Sequence, residues 1–428
     1  MKKLVQWVAV LTAMMMLVAC VPLTALAESQ DQVTLTLWSI WSSDSESNKA
    51  PFLKTLDEFQ AAYPNIKVEL DMSEAEAYKT KIKTAVAANE APDVFYYNAG
   101  GMLKSFVDAG KVLALNDYVD EATMGRIVEG TLANMTFDGK IYGLPYTLAC
   151  SVLFCNTELF EKYNVKIPET WTELMTAVKT FKDAGLVPMA LGGKDRWPTC
   201  MYTDLITLRA AGYQECADTF NKTANASFVT DGMKLAAEKY NELIESGAFP
   251  ADAVALTRDE SEVPFYNGEI PMYVNGNWTA ANCSNSPAIA GKVKAVAFPT
   301  IEGGKGVATD FMGGAAEEFC VSANTAHPQE AYLLCQFLAE NHSKNAYMVG
   351  AGMPTWKFGS DVDESKVDPL IKSIVELTNN ASCFLLWGNT LLEGEDSELL
   401  MDTVLELLAR DIDANTYCEK LQTIITGE

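Results

Sequence analysis

Histidine is almost absent from this 428-residue chain, which has only His327 and His342. A three-histidine zinc site is therefore excluded, and imidazole catalysis has two candidates. Basic residues are few beside acidic ones, 32 against 57, for a formal charge of −25. A phosphate backbone would be repelled by such a chain, so no nucleic-acid partner is expected. No C-x-x-C pair occurs, and a zinc ribbon or thioredoxin-like site has no support. Beyond the N-terminus no apolar run reaches the roughly 20 residues of a membrane helix. The P-loop, the G-x-S-x-G elbow and H-E-x-x-H are all missing. Gly303-Gly304-Lys305 lacks the phosphate-loop spacing, and Gly350-Ala351-Gly352 runs into Met353-Pro354, which cannot open a dinucleotide-binding helix. Asp361-Val362-Asp363 starts like a calcium loop but has no glycine at the turn. No cofactor and no catalytic residue is expected. Glu317-Glu318 could suit a glycosidase, but in a chain this acidic it reads as a solvated pair.

Apolar material, by contrast, is ample: 49% of residues are hydrophobic and 10% aromatic. A large core can form, and the length suggests about two to three domains. Lys2 and Lys3 precede an apolar stretch that Pro22 breaks, and Ala25-Leu26-Ala27 offers small residues before Glu28. This reads as an export signal over residues 1–27. A second reading stands beside it. Leu17-Val18-Ala19-Cys20 matches a bacterial lipobox, with a signal over 1–19 and a lipid on Cys20. Either way the mature protein is expected at the cell surface or in the periplasm. Nine further cysteines are scattered, and those in apolar stretches, such as Cys320 and Cys335, read as buried thiols.

Strand and helix patterns alternate. Val33, Leu35 and Leu37 alternate with threonines, a period-2 strand. Phe52, Leu56, Phe59 and Tyr63 recur at helical spacing up to Pro64. A strand over 66–70, a helix over 75–88 and a strand over 93–97 follow. Further helices are read behind a Thr170/Glu173 capping box, around 235–247, from Pro328 and over 398–425, with strands at 187–191, 270–274 and 293–298. The fold class is α/β, with parallel strands and helices on the sheet faces. In such sheets ligands bind beyond the carboxyl ends of the strands. Trp38, Trp41, Trp197, Trp278, Trp356 and Trp387 lie near such ends or in loops. Any one tryptophan is first a packing residue. The set, among amides and carboxylates, suits sugar rings, whose C–H faces stack on indole.

Several segments together resemble the extracellular solute-binding proteins of sugar ABC importers, the maltose-binding-protein-like family. They include Val33-Thr-Leu-Thr-Leu-Trp38-Ser-Ile-Trp41, Phe59-Gln-Ala-Ala-Tyr-Pro-Asn-Ile-Lys-Val-Glu69, Ala91-Pro-Asp-Val-Phe95, Asp138-Gly-Lys-Ile-Tyr-Gly-Leu-Pro145, Leu191-Gly-Gly-Lys-Asp-Arg-Trp-Pro198 and Phe265-Tyr-Asn-Gly-Glu-Ile-Pro-Met-Tyr-Val-Asn-Gly-Asn-Trp278. The resemblance runs in order along nearly all of the mature chain. It implies a two-lobed periplasmic-binding-protein-like fold with hinge crossovers. One lobe would hold residues 33–143 and 300–352, the other 144–299 and 353–428. It implies capture of a sugar, an oligosaccharide by the resemblance, through lobe closure, and delivery to the membrane permease subunits of an ABC importer by a monomer. The alternatives are a non-sugar solute such as a polyamine, a peptide or a metal, and, further off, a secreted carbohydrate-active hydrolase.

Carried over residue by residue, the resemblance implies that Trp38 or Trp41, with Ser42 and Ser43, meets sugar hydroxyls. Asn98 would stand at the cleft lip, and Trp197 and Trp278 would stack on the ligand. Asp310, before an expected turn at Gly313-Gly314, would accept two hydroxyls. Trp387 would supply a C-terminal aromatic, with Gly388-Asn389 standing where many members have Asp-Gln. Arg196 and Arg258 are candidate donors to ligand hydroxyls, with exposed surface charge as the first reading of both.

Overall fold

The computed structural model describes residues 32–427. The export signal and the Cys20 lipid site lie outside the described residues. Among the described residues no helix is long and apolar enough to cross a membrane, and the nine cysteines are unpaired, eight of them buried.

The opening run folds as its patterning requires. Strand β1 (Val33–Ser39) buries Leu35 and Leu37 and lies parallel to β2 (Ile66–Met72) and β3 (Val94–Asn98). Helices Lys49–Ala62 and Ala75–Ala88 make the crossovers. Glu74 caps the second helix by accepting the N–H groups of Glu76 and Ala77. A hairpin of β4 (Thr136–Phe137) and β5 (Lys140–Ile141) leads into β6 (Leu144–Asn156). Beyond it come β7 (Met189–Ala190), β8 (Met272–Gly276), β9 (Val293–Val296), β10 (Asp310–Val321) and β11 (Cys383–Leu385).

Nine strands make one sheet, in the order β2-β1-β3-β10-β6-β8-β7, with β11 beside β10 and β9 beside β6. The 13-residue β6 and the 12-residue β10 run antiparallel and belong to both lobes. Residues 317–321 of β10 pair with β3, whereas residues 310–312 pair with β11. One core gathers Leu37, Phe52, Phe95, Tyr146, Phe319 and Leu338. The second lobe has a core on each face of its sheet. Leu153 and Cys155 enter one, and Val152 and Phe154 the other. Burial on both faces suits the continuous apolar stretch Val152-Leu153-Phe154-Cys155 within β6.

Three sequence expectations shift. Ile301, Phe311 and Met312 pack in the second lobe, so the chain returns to the first lobe along β10 and not at Thr300. Gly313-Gly314 is no turn but the middle of β10, with φ of +141° and +140°. A Cβ on Gly313 would stand 2.1 Å from the Ala149 carbonyl oxygen, so only glycine lets the two crossing strands approach this closely. Trp356 is core: it is buried, and its Nε1 donates to the Pro145 carbonyl at 2.7 Å.

Candidate ligand-binding cleft

Between the lobes lies a cleft with about 1030 Å³ of empty space, its open mouth included. First-lobe walls come from the loop after β1, from the helix Ala75–Ala88 and from the end of β3. The second lobe supplies three tryptophans, and the crossing strands form the floor.

Each tryptophan is held by its own local device. Trp197 opens the helix Trp197–Ala211, directly after Arg196, whose φ of 60° and ψ of −55° form a tight turn closed by Trp197 N–H donating to the Asp195 carbonyl at 2.7 Å. This left-handed γ-type geometry is rare and strained for a residue with a side chain. The Arg196 guanidinium ties the turn to Glu398 and Asp402 at 2.7 and 2.8 Å. Trp278 folds back over β8: a Cβ on Gly276 would meet its ring at 2.1 Å. Trp387 is buried, and its Nε1 donates to Ser151 Oγ at 2.8 Å. The next residue, Gly388, donates its N–H to the buried Asp204 carboxylate at 2.8 Å. Burial lifts the pKa of Asp204 to about 7. The rings follow one another, Trp197 to Trp278 at 6.4 Å and 58°, Trp278 to Trp387 at 6.2 Å and 65°. They make a bent aromatic wall, not a flat platform.

The floor is aromatic and polar together. Trp41 lines it from below, wedged against Phe52, Tyr96, Tyr146 and His342 at ring separations of 4.8–5.5 Å. Burial pushes the His342 pKa down to about 3, which keeps this imidazole neutral. Neither histidine lines the cleft. Above Trp41, Tyr96, Tyr146, Asn98 and Glu317 present polar atoms.

The two lobes also touch directly across the mouth. Arg258 Nη2 donates to Glu46 Oε1 at 2.9 Å. Ser45 Oγ donates to Asp259 Oδ2 at 2.8 Å, and Asn282 Nδ2 to the Ser45 carbonyl at 3.1 Å. Arg258 also lies near the buried Glu262, whose pKa burial raises to about 7 against the pull of Arg258.

Of the residues singled out from the sequence, Trp41, Asn98, Trp197, Trp278, Trp387 and Asn389 line the cleft. Trp38, Ser42 and Asp310 do not. The Trp38 ring lies under Lys81 Nζ at 4.2 Å, on the strand that leads to the cleft and not in its loop. Ser42 serves through its backbone, its N–H donating to Ile40 and its carbonyl accepting from Lys49. Asp310 closes its own loop by accepting the Val307 N–H at 2.8 Å, and is buried in the second lobe. Of the two readings of Arg258, its place in the cleft lining and its shielded side chain disagree with an exposed charge and leave the donor reading open, and Glu317-Glu318 is no solvated pair. Glu318 points into the first lobe, fully buried, and Glu317 lies at the cleft floor. The lining also takes in Tyr96, Tyr146, Glu46 and Lys79, none of them named as a ligand contact from the sequence. The one available signal was the Tyr96-Tyr97-Asn98 strand end.

The sequence model described as bacterial extracellular solute-binding protein matches residues 42–344. The multiple sugar-binding protein of Streptococcus mutans is 23% identical over 362 residues, 83% of each chain. One solved structure is described as giving biochemical and structural insights into xylan utilization by the thermophilic bacterium Caldanaerobius polysaccharolyticus. It is 40% identical, with a TM-score of 0.88, over 92% of this chain and 100% of that one. A chitin oligosaccharide binding protein superimposes with a TM-score of 0.84 at 26% identity, over 93% and 99% of the two chains.

Proposed function

The chain belongs to the bacterial extracellular solute-binding protein family, and from that premise we propose that it is the sugar-capturing subunit of an ABC importer, with an oligosaccharide as its cargo. The observation that carries this reading is the bent wall of Trp197, Trp278 and Trp387 facing polar groups across the interlobe cleft. Indole faces take the C–H faces of successive sugar rings, while Asn98, Asn389, Tyr96 and Glu317 meet hydroxyls. The lining carries two basic side chains, Lys79 and Arg258, and two acidic ones, Glu46 and Glu317. This balance suits a neutral polyol better than a polyamine.

Function in this reading is capture and delivery without chemistry. A ligand bridging both lobes favours the closed form by the difference in its affinity for the two forms. The Glu46–Arg258 and Ser45–Asp259 contacts add a ligand-independent contribution to closure. The closed protein then docks as a monomer on membrane permease subunits, anchored through Cys20 if the lipobox is used. The 40% identity to the structure from xylan-utilization work makes xylo-oligosaccharides the first ligands to try.

The test is calorimetric titration of the mature protein with mono- and oligosaccharides, xylo- and chito-oligosaccharides included, with the product mixture analysed afterwards. Micromolar or tighter binding with unchanged sugar is expected. Silence across the panel would sink the carbohydrate reading, and turnover would sink the non-enzymatic one.

A further inference from the structure

Glu317 occupies an unusual position. It lies on β10, opposite Asn98 of β3 and Thr147 of β6, where the ladder to β6 shifts register on either side of it. Such an irregularity re-aims side chains. Glu317 turns into the cleft and Glu318 into the first-lobe core, where Glu318 Oε2 has no partner.

Both oxygens of Glu317 are held from the protein side. Tyr96 donates its hydroxyl to Oε1 at 2.7 Å, and Tyr146 donates to Oε2. Asn98 Nδ2 donates to the Tyr96 oxygen at 3.4 Å. The two phenols are 3% and 1% exposed, so they fix the carboxylate from behind. The side chain remains partly exposed on its cleft side. An ionised carboxylate offers about four lone-pair sites, and the phenols take one on each oxygen. One acceptor per oxygen is left, facing the cleft. Among the described residues no lysine or arginine pairs with Glu317, whereas Glu46, the other acidic residue of the lining, is paired with Arg258. An acceptor held in place, short of donors and with no cation in contact is matched by neutral O–H groups.

We propose that Glu317 is the specificity-determining anchor of the cleft: its two oxygens accept two neighbouring hydroxyls of one sugar ring, in an orientation set by Tyr96 and Tyr146. The inference rests on the carbohydrate reading above and deepens it. Because Glu317 sits on a strand shared by both lobes, the anchor is present before the lobes close. Burial raises its pKa, with the Tyr146 and Tyr96 hydrogen bonds pulling back. Protonation turns one acceptor into a donor, so affinity falls on acidification. The other charged or titratable groups facing it are Tyr96, Tyr146, Glu46, Lys79 and Arg258.

The test is titration of the mature protein with xylotriose and chitotriose, comparing wild type, Glu317→Gln and the Tyr96→Phe/Tyr146→Phe double variant. The double variant keeps the carboxylate and removes its protein partners. Glu317→Gln is expected to lose roughly 10- to 100-fold in affinity, the scale of lost charge-assisted hydrogen bonds. The double variant is expected to lose less. Wild-type affinity is expected to weaken as pH is lowered from about 7.5 to about 4.5, and that slope to vanish in a folded Glu317→Gln. A Glu317→Gln affinity within about threefold of wild type, or an equal loss in the double variant, would overturn the proposal. So would a flat wild-type pH profile, which needs no variant to fold. A wild type that binds neither these trisaccharides nor any other sugar would overturn the parent reading instead.

Discussion

An indole on the wall of a cleft contributes through its face, so its worth depends on what covers that face in the free protein. Trp197 and Trp278 keep one side toward the cleft, and truncating either to alanine should weaken sugar binding by roughly 1–3 kcal/mol. Trp38→Ala, on β1 beneath Lys81 and outside the cleft lining, should leave affinity within about twofold. Titration calorimetry separates the three, and an equal loss in all of them would contradict this assignment of faces. Asp204 makes a different prediction. Its folded pKa of about 7 stands above the ordinary carboxylate value of 3.8, because burial disfavours the charge. The folded state therefore holds a proton that the unfolded chain releases, and stability is lost as pH rises from about 4 through about 7. Asp204→Asn keeps an acceptor for the Gly388 N–H and cannot ionise. It should be more stable than wild type at pH 8 by roughly 2–4 kcal/mol, and about equal to it near pH 4. Urea midpoints at the two pH values check this, and parallel profiles would rule it out.

Elements were legible in the sequence where one face is wet and the other dry. The period-2 strands at 33–37 and 66–70 and the helix at 75–88 announce themselves because polar and apolar residues alternate at the period of the backbone. Where burial is all-round that signal disappears. The helix Trp197–Ala211 is buried from Pro198 onward on every side, so no amphipathic period marks it, and its first residue read as part of a loop. β10 was hidden for another reason: Gly313-Gly314 is ordinary turn chemistry. Only the opposing strand reveals that these glycines exist for close approach. In the cleft, the tryptophans were legible as residue type and place. The polar partners were not, since Glu317, Tyr146 and Glu46 become a site only when crossing strands and an opposite lobe bring them together. Gly313→Ala tests the strand. Its methyl would press on the Ala149 carbonyl in an unfavourable φ region, and a destabilisation of roughly 1–3 kcal/mol is expected, read from denaturant midpoints. An unchanged midpoint would mean that the two crossing strands can part at this point without penalty.

At the scale of the whole molecule, the two lobes are joined by side chains as well as by strands. The Glu46–Arg258 pair is largely shielded, with side-chain exposures of 17% and 14%. Glu46→Gln should open the mouth in the absence of ligand, seen as a larger radius of gyration in X-ray scattering. It should also lower affinity by one common factor, about 3–10-fold, for every sugar bound, because closure is common to all of them. A loss that differs from sugar to sugar would instead assign Glu46 to ligand contact. The shared strands have a consequence for how the chain comes into being. The first lobe opens with Leu35, Phe52 and Phe95, yet its core is completed only by Phe319, Leu334 and Leu338. A polypeptide emerging N-terminus first must therefore leave these early apolar residues without their partners until most of its length has been delivered. Contacts so distant in sequence form slowly, and the waiting chain is prone to association. A fragment ending at residue 300 should accordingly fail to give a cooperative unfolding transition. In this architecture the last quarter of the chain is what allows the first quarter to fold.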